Sequence, residues 1–84
     1  MRDEQITCDI KEVIMQVTGL PESKLVGNAN FIDDLGIESI DAVDIVIGIE
    51  KKYGIEIPEE RFGEFDSIDA GVELIKSILD MMKK

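Results

Sequence analysis

The 84-residue sequence contains no histidine, a single cysteine and few basic residues. Lacking histidine, the chain lacks the commonest general base, the commonest metal ligand and every Ser-His triad. Cys8 alone can form neither an internal disulfide nor a multi-cysteine metal site, and it reads as a small side chain on a helix. Against 9 lysines and arginines stand 19 acidic residues, a formal net charge of -10. Such a balance repels phosphate backbones, so nucleic acid is not expected as a ligand, and partners with basic surfaces are favoured. No apolar run approaches the roughly 20 residues needed to cross a bilayer, and the start MRDEQITCD lacks the charged-then-apolar layout of a secretory signal. A cytoplasmic protein without membrane insertion is therefore expected. A chain this short reads as one domain, residues 1–84, with a modest core and no built-in enzyme cleft. Any chemistry it serves is expected from a bound group or a partner, so the chain is not read as an enzyme.

What is present is helical patterning. Ile6, Ile10, Val13, Ile14 and Val17 recur at spacings of three and four, which predicts a first amphipathic helix ended by Thr18-Gly19-Leu20-Pro21. A long connection to about Gly36 holds Leu25, Val26, Phe31, Ile32 and Leu35, and is predicted to be an ordered loop pinned on the core by those side chains. A second helix is predicted from Ser39 to Tyr53, stopping at Gly54. Ile55-Glu56-Ile57-Pro58 reads as extended, with both isoleucines facing one way, and Glu59 to Phe62 as a brief helical turn. A last helix begins near Asp66 or Ser67, either of which can cap it, with Ile68, Val72, Ile75 and Leu79 on one face. The expected fold is all-α, a small four-helix bundle of three main helices plus one short one. The only charge block is the terminal Lys83-Lys84.

The second helix has more apolar surface than one core face needs. Ala42, Ile45, Val46, Ile49 and Tyr53 fall on one arc at about 100° per residue. Ile40, Val43 and Ile47 form a separate stripe, divided from that arc by Glu50 on one side and by Asp41, Asp44 and Lys51 on the other. Apolar surface costs about 25 cal/mol per Å² to keep in water, so the stripe suggests a surface that a partner covers; burial of the helix on both sides is the alternative. Gly48, at a cost of about 1 kcal/mol relative to alanine, falls on the polar side without an evident purpose. Two serines stand at helix starts, each between an acidic residue and Ile-Asp-Ala. A helix start favours an attached anion, because its first N–H groups lack partners and the macrodipole is positive there. A plain N-cap is the other reading of either serine.

The segment Phe31-Ile32-Asp33-Asp34-Leu35-Gly36-Ile37-Glu38-Ser39-Ile40-Asp41 resembles the attachment segment of the acyl carrier proteins, in which an Asp-Leu-Gly turn leads to Asp-Ser-Leu at the start of the second helix. The resemblance continues through Val43, Asp44, Ile45, Val46, Ile49, Glu50 and Tyr53 to Glu56-Ile57-Pro58 and the last helix, covering nearly the whole chain. It implies that Ser39 carries a covalent 4'-phosphopantetheine, transferred from coenzyme A by a magnesium-dependent phosphopantetheinyl transferase, whose thiol holds acyl groups as thioesters. It also implies a monomer whose Glu38, Ile40, Asp41, Val43, Asp44, Ile47 and Glu50 dock to acyl-transferring, condensing and reducing enzymes through basic grooves, weakly and with sensitivity to salt. The thioester arm, not a side chain of the protein, would carry the reactive group. Glu38 and Ile40 stand where the family usually has aspartate and leucine, hinting at a specialised carrier. Lys51 and Lys52 stand where it is often acidic. Asp66-Ser67-Ile68 is locally closer to the motif but lacks the Asp-Leu-Gly turn, so Ser67 is expected to be an N-cap or first-turn residue.

Two other classes compete. An acidic helical adaptor that binds basic partners would need no prosthetic group. A divalent-cation site is suggested by Asp33, Asp34, Glu38 and Asp41, but Asn28-Ala29-Asn30-Phe31-Ile32-Asp33 fails the calcium-loop pattern at its fifth and sixth positions. Within the family, carriers of amino acids usually have a glycine-rich segment before the serine, absent here, which favours an acyl or polyketide cargo.

Overall fold

The spacing of isoleucines in the first segment produces helix α1, Asp3–Thr18, in a computed structural model that describes residues 2–82; Met1 and the terminal Lys83-Lys84 lie outside the described residues. Ile6, Ile10, Val13 and Ile14 of α1 are buried. Gly19 ends it in the left-handed region, at φ 75°, and its N–H donates to the Met15 carbonyl, a conformation that costs glycine nothing. Helix α2 spans Ser39–Tyr53 and α3 spans Ile68–Met82; short 3-10 turns occupy Glu22–Lys24 and Glu59–Glu64. The predicted all-helical bundle of three main helices and one short one is present, with no strand among the described residues. The turn at Glu22–Lys24 was not predicted.

Helix α1 packs against both α2 and α3. Its Asp9 accepts the Tyr53 hydroxyl's hydrogen bond, and Lys52 stands 3.6 Å from Glu12 and 3.9 Å from Asp9. Burial foremost, then the Asp9 hydrogen bond and charge, hold the Tyr53 hydroxyl's pKa well above its ordinary value. Gly48, which the helical wheel placed on the polar side, in fact faces α1: a Cβ built there would lie 2.8 Å from Cγ1 of Val13. A glycine carries no hydropathy signal, so a close helix crossing over its backbone is invisible to a pattern of apolar residues.

The long connection is ordered, but its anchors differ from those expected. Leu25, Phe31 and Ile37 are buried and Leu35 packs against the core, whereas Val26 and Ile32 are 57% and 52% exposed. Two backbone bonds tie the loop to the start of α3: Phe31 N–H donates to the Asp66 carbonyl at 2.8 Å, and Asp69 N–H to the Gly27 carbonyl at 2.9 Å. The rings of Phe31 and Phe65 pack beside them, tilted by 36° with centroids 5.8 Å apart. In α3 the buried face is wider than the one read from spacing, because Leu74 and Ile78 join Ile68, Val72 and Ile75 while Leu79 is only partly buried. Ile55 and Ile57 are both buried, as their shared direction predicted.

Candidate functional site

The chain approaches α2 through a tight turn centred on Asn30. Its Oδ1 accepts the N–H groups of Ile32 and Asp33, each at 2.9 Å. Its backbone carbonyl accepts those of Asp34 and Leu35, and Asp34 Oδ2 accepts the Asn30 N–H at 2.8 Å. Gly36 follows at φ 68°, where a residue with a Cβ would be strained. The Ile37 N–H then returns to the Phe31 carbonyl at 2.8 Å. Buried Ile37 fixes the chain two residues before Ser39. The Asn-x-x-x-Asp spacing ahead of a glycine was the available sign of this turn, and reading the sequence by hydropathy passed over it.

Ser39 is the first residue of α2, not its cap; the N-cap is Glu38, whose side chain makes no capping bond. The Ser39 side chain is exposed and makes no hydrogen bond among the described residues. The N–H groups of Ser39, Ile40 and Asp41 likewise meet no acceptor among them, the first bond into the helix being Ala42 N–H to the Glu38 carbonyl at 2.9 Å. A reachable hydroxyl at a helix start with unpaired N–H groups is chemically suited to a phosphate ester. Ser67 is arranged differently. Its Oγ accepts the Ala70 N–H at 3.1 Å, it is half-buried, and α3 begins at the next residue, so it caps that helix as expected.

Beside Ser39 the second apolar stripe of α2 is open to solvent: Ile40 is 73% exposed, and Val43 and Ile47 are also exposed. This settles the choice between a covered and an uncovered stripe within the chain itself. Glu38 and Asp44 are exposed and Asp41 half-buried. Glu50 differs from them, because its Oε2 accepts the N–H of buried Ile57 at 2.8 Å and so holds the segment after α2. One helical turn beyond Ser39, Ala42 lines a small, partly open cavity of about 160 Å³ together with Phe31, Phe62 and Phe65. A larger groove, between Ile55–Arg61 and the end of α3 at Ile78–Met82, lies at the opposite end of α2. Among the described residues, no three acidic or cysteine side chains are grouped to hold a metal ion.

A family model described as the phosphopantetheine attachment site matches residues 8–75. The chain belongs to that family. This carrier's match runs through all of α2 and the greater part of α1 and α3, so the free serine, the turn before it and the open stripe beside it all lie within the matched span. Members carry a covalently attached 4'-phosphopantetheine, and carrier domains of this kind are generally not catalysts themselves. They interact with phosphopantetheinyl transferases and with acyl-handling enzymes in general. No helix among the described residues is long and apolar enough to cross a membrane.

Proposed function

We propose that the chain is an acyl carrier protein: its arm is attached through Ser39, and it delivers acyl intermediates to enzymes of fatty-acid, polyketide or related acyl-chain biosynthesis in the cytoplasm. The observation that carries this reading is the pairing of an exposed, unbonded Ser39 hydroxyl with an open apolar stripe on the same helix. When bound, the cofactor supplies a thiol that holds acyl groups as thioesters on a flexible arm. The protein's own residues have two tasks. Ser39 offers its hydroxyl to the transferase at a helix end whose N–H groups favour the resulting phosphate. Ile40, Val43 and Ile47, with Glu38, Asp41 and Asp44 around them, give partners an apolar contact framed by negative charge. Apolar burial then supplies affinity while the charges guide encounter with a basic groove. Weak docking is sufficient, because the tethered arm raises the effective concentration of its cargo once the carrier is seated.

The cavity one turn from Ser39, lined in part by Phe31, Phe62 and Phe65, supports an acyl shelter. Loading an acyl chain is expected to shift the amide resonances of Phe31, Phe62 and Phe65; identical spectra for loaded and unloaded carrier would remove the shelter.

Intact mass tests the attachment. After incubation with coenzyme A, Mg²⁺ and a broad-specificity transferase, the wild type is expected to gain one phosphopantetheine, Ser67→Ala to gain it as well, and Ser39→Ala to gain none. A folded wild type that several transferases leave unchanged would instead favour the acidic adaptor, and Glu38→Asp would be the first reversion to make.

A further inference from the structure

Among the described residues the start of α2 has no side-chain cap: Glu38 makes no capping bond and Ser39 makes none either. Helix α3, by contrast, is held at its start by Ser67. The direction in which Ser39 leaves the chain is therefore set by the preceding turn. That turn is pinned at two buried points, Phe31 and Ile37, which are joined by the Ile37 N–H to Phe31 carbonyl bond. Between them run five residues, all exposed but the half-buried Leu35, whose path depends on Asn30 and Asp34. Asn30 accepts four N–H groups, two on Oδ1 and two on its carbonyl, and its own N–H is accepted by Asp34. This is the reciprocal logic of a capping box, applied to a turn instead of a helix. The bond to the Asp34 carboxylate is charge-assisted, the stronger class of hydrogen bond.

The geometry points to Asn30 and Asp34 as positioning residues for the modification of Ser39: together they hold the turn that presents the serine hydroxyl to the transferase, without touching the reacting atoms themselves. The inference rests on the reading that Ser39 carries the arm. A reaction between two bound partners depends steeply on where the nucleophile sits, so a turn that wanders lowers the rate of transfer even when docking is kept.

The test uses the full chain and its variants Asn30→Ala, Asn30→Ser, Asp34→Ala and Asn30→Ala with Asp34→Ala. Steady-state transfer from coenzyme A gives kcat and KM for the carrier, and amide hydrogen exchange reports the turn from Ile32 to Ile40. Asn30→Ala is expected to lower kcat about tenfold, the scale of a lost hydrogen bond, with KM for the carrier little changed and exchange at Ile32 and Asp33 accelerated. Asn30→Ser, whose hydroxyl can accept the same N–H groups, is expected to recover most of the rate. The double variant should fall no further than the worse single one, because both side chains serve one turn. An unchanged kcat, or a loss confined to KM, would overturn the inference, since the second outcome assigns Asp34 to docking charge alone. If Asn30→Ala does not fold, Asp34→Ala, which removes the acceptor of the Asn30 N–H, decides by the same criteria. A wild type that gains no mass defeats the attachment reading, whereas a wild type modified on Ser39 with variants of equal kcat defeats only the positioning role.

Discussion

Val13 of α1 rests directly on the backbone of α2 at Gly48, where an added Cβ would come within 2.8 Å of its Cγ1. Valine is β-branched and holds one rotamer in a helix, so it cannot swing aside cheaply. Gly48→Ala would gain about 1 kcal/mol in helix propensity but would overpack the crossing at a cost of about 1–3 kcal/mol. A net loss of stability is expected in urea unfolding. Val13→Ala should be less costly in the Gly48→Ala background than alone. If Gly48→Ala raises the midpoint, the crossing is looser than the contact implies.

Glu50, one of the docking carboxylates that the family resemblance implies, accepts the N–H of buried Ile57. Glu50→Ala leaves that N–H unpaired and is expected to destabilise the fold by about 1–3 kcal/mol. Glu50→Gln keeps an acceptor and should cost clearly less. Equal unfolding midpoints for the two variants would show that the acceptor is dispensable.

Tyr53 gives a pH signature. Its folded pKa is raised above the ordinary value of 10.0 by burial and by Asp9. A raised acid holds its proton more tightly in the folded state, so its contribution to stability is complete below pH 10 and declines as pH climbs beyond it. Because the chain has a single tyrosine, tyrosinate absorbance reports this group alone. Its titration is expected to lie well above pH 10, or to coincide with alkaline unfolding. Tyr53→Phe should flatten the fall of stability in that range, and a tyrosinate midpoint at 10 in the folded protein would contradict the arrangement.

The two serines should separate stability from modification. Ser67→Ala removes a cap and is expected to cost about 1 kcal/mol, while Ser39→Ala removes a hydroxyl that makes no hydrogen bond among the described residues and should leave the thermal midpoint within a degree or so of the wild type, the shift expected of a few tenths of a kcal/mol. Calorimetry of the two variants decides it, and a Ser39→Ala protein that melts much earlier would mean the hydroxyl is structural.

A net charge of -10 on 84 residues implies self-repulsion that salt relieves. Raising ionic strength or adding Mg²⁺ at neutral pH is expected to raise the melting temperature. No response would mean that cross-helix pairs such as Lys76 with Asp3, 3.1 Å apart, already balance the field.

Much of the carrier was written in local order. The isoleucine spacing of α1, the bounds of α2 between Glu38 and Gly54, and the capping chemistry of Ser67 follow from neighbours a few residues apart, and a chain of side chains read in order carries that information directly. The match of Asp34-Leu35-Gly36 and Ser39 to a known attachment segment is also a property of the order alone. Other features arise only when distant segments meet. Val26 and Ile32 are as apolar as Leu25 and Phe31, but only the latter pair faces inward, because hydropathy states what a side chain prefers and not which way a loop turns it. Gly48 acquires its purpose from α1, Glu50 from Ile57, and the direction of Ser39 from a turn fixed by Phe31 and Ile37. Sequence by itself determined the helices and the serine to examine; tertiary packing decided which apolar groups stay exposed and which carboxylate is committed, since burial and hydrogen-bond geometry depend on neighbours brought together only by folding.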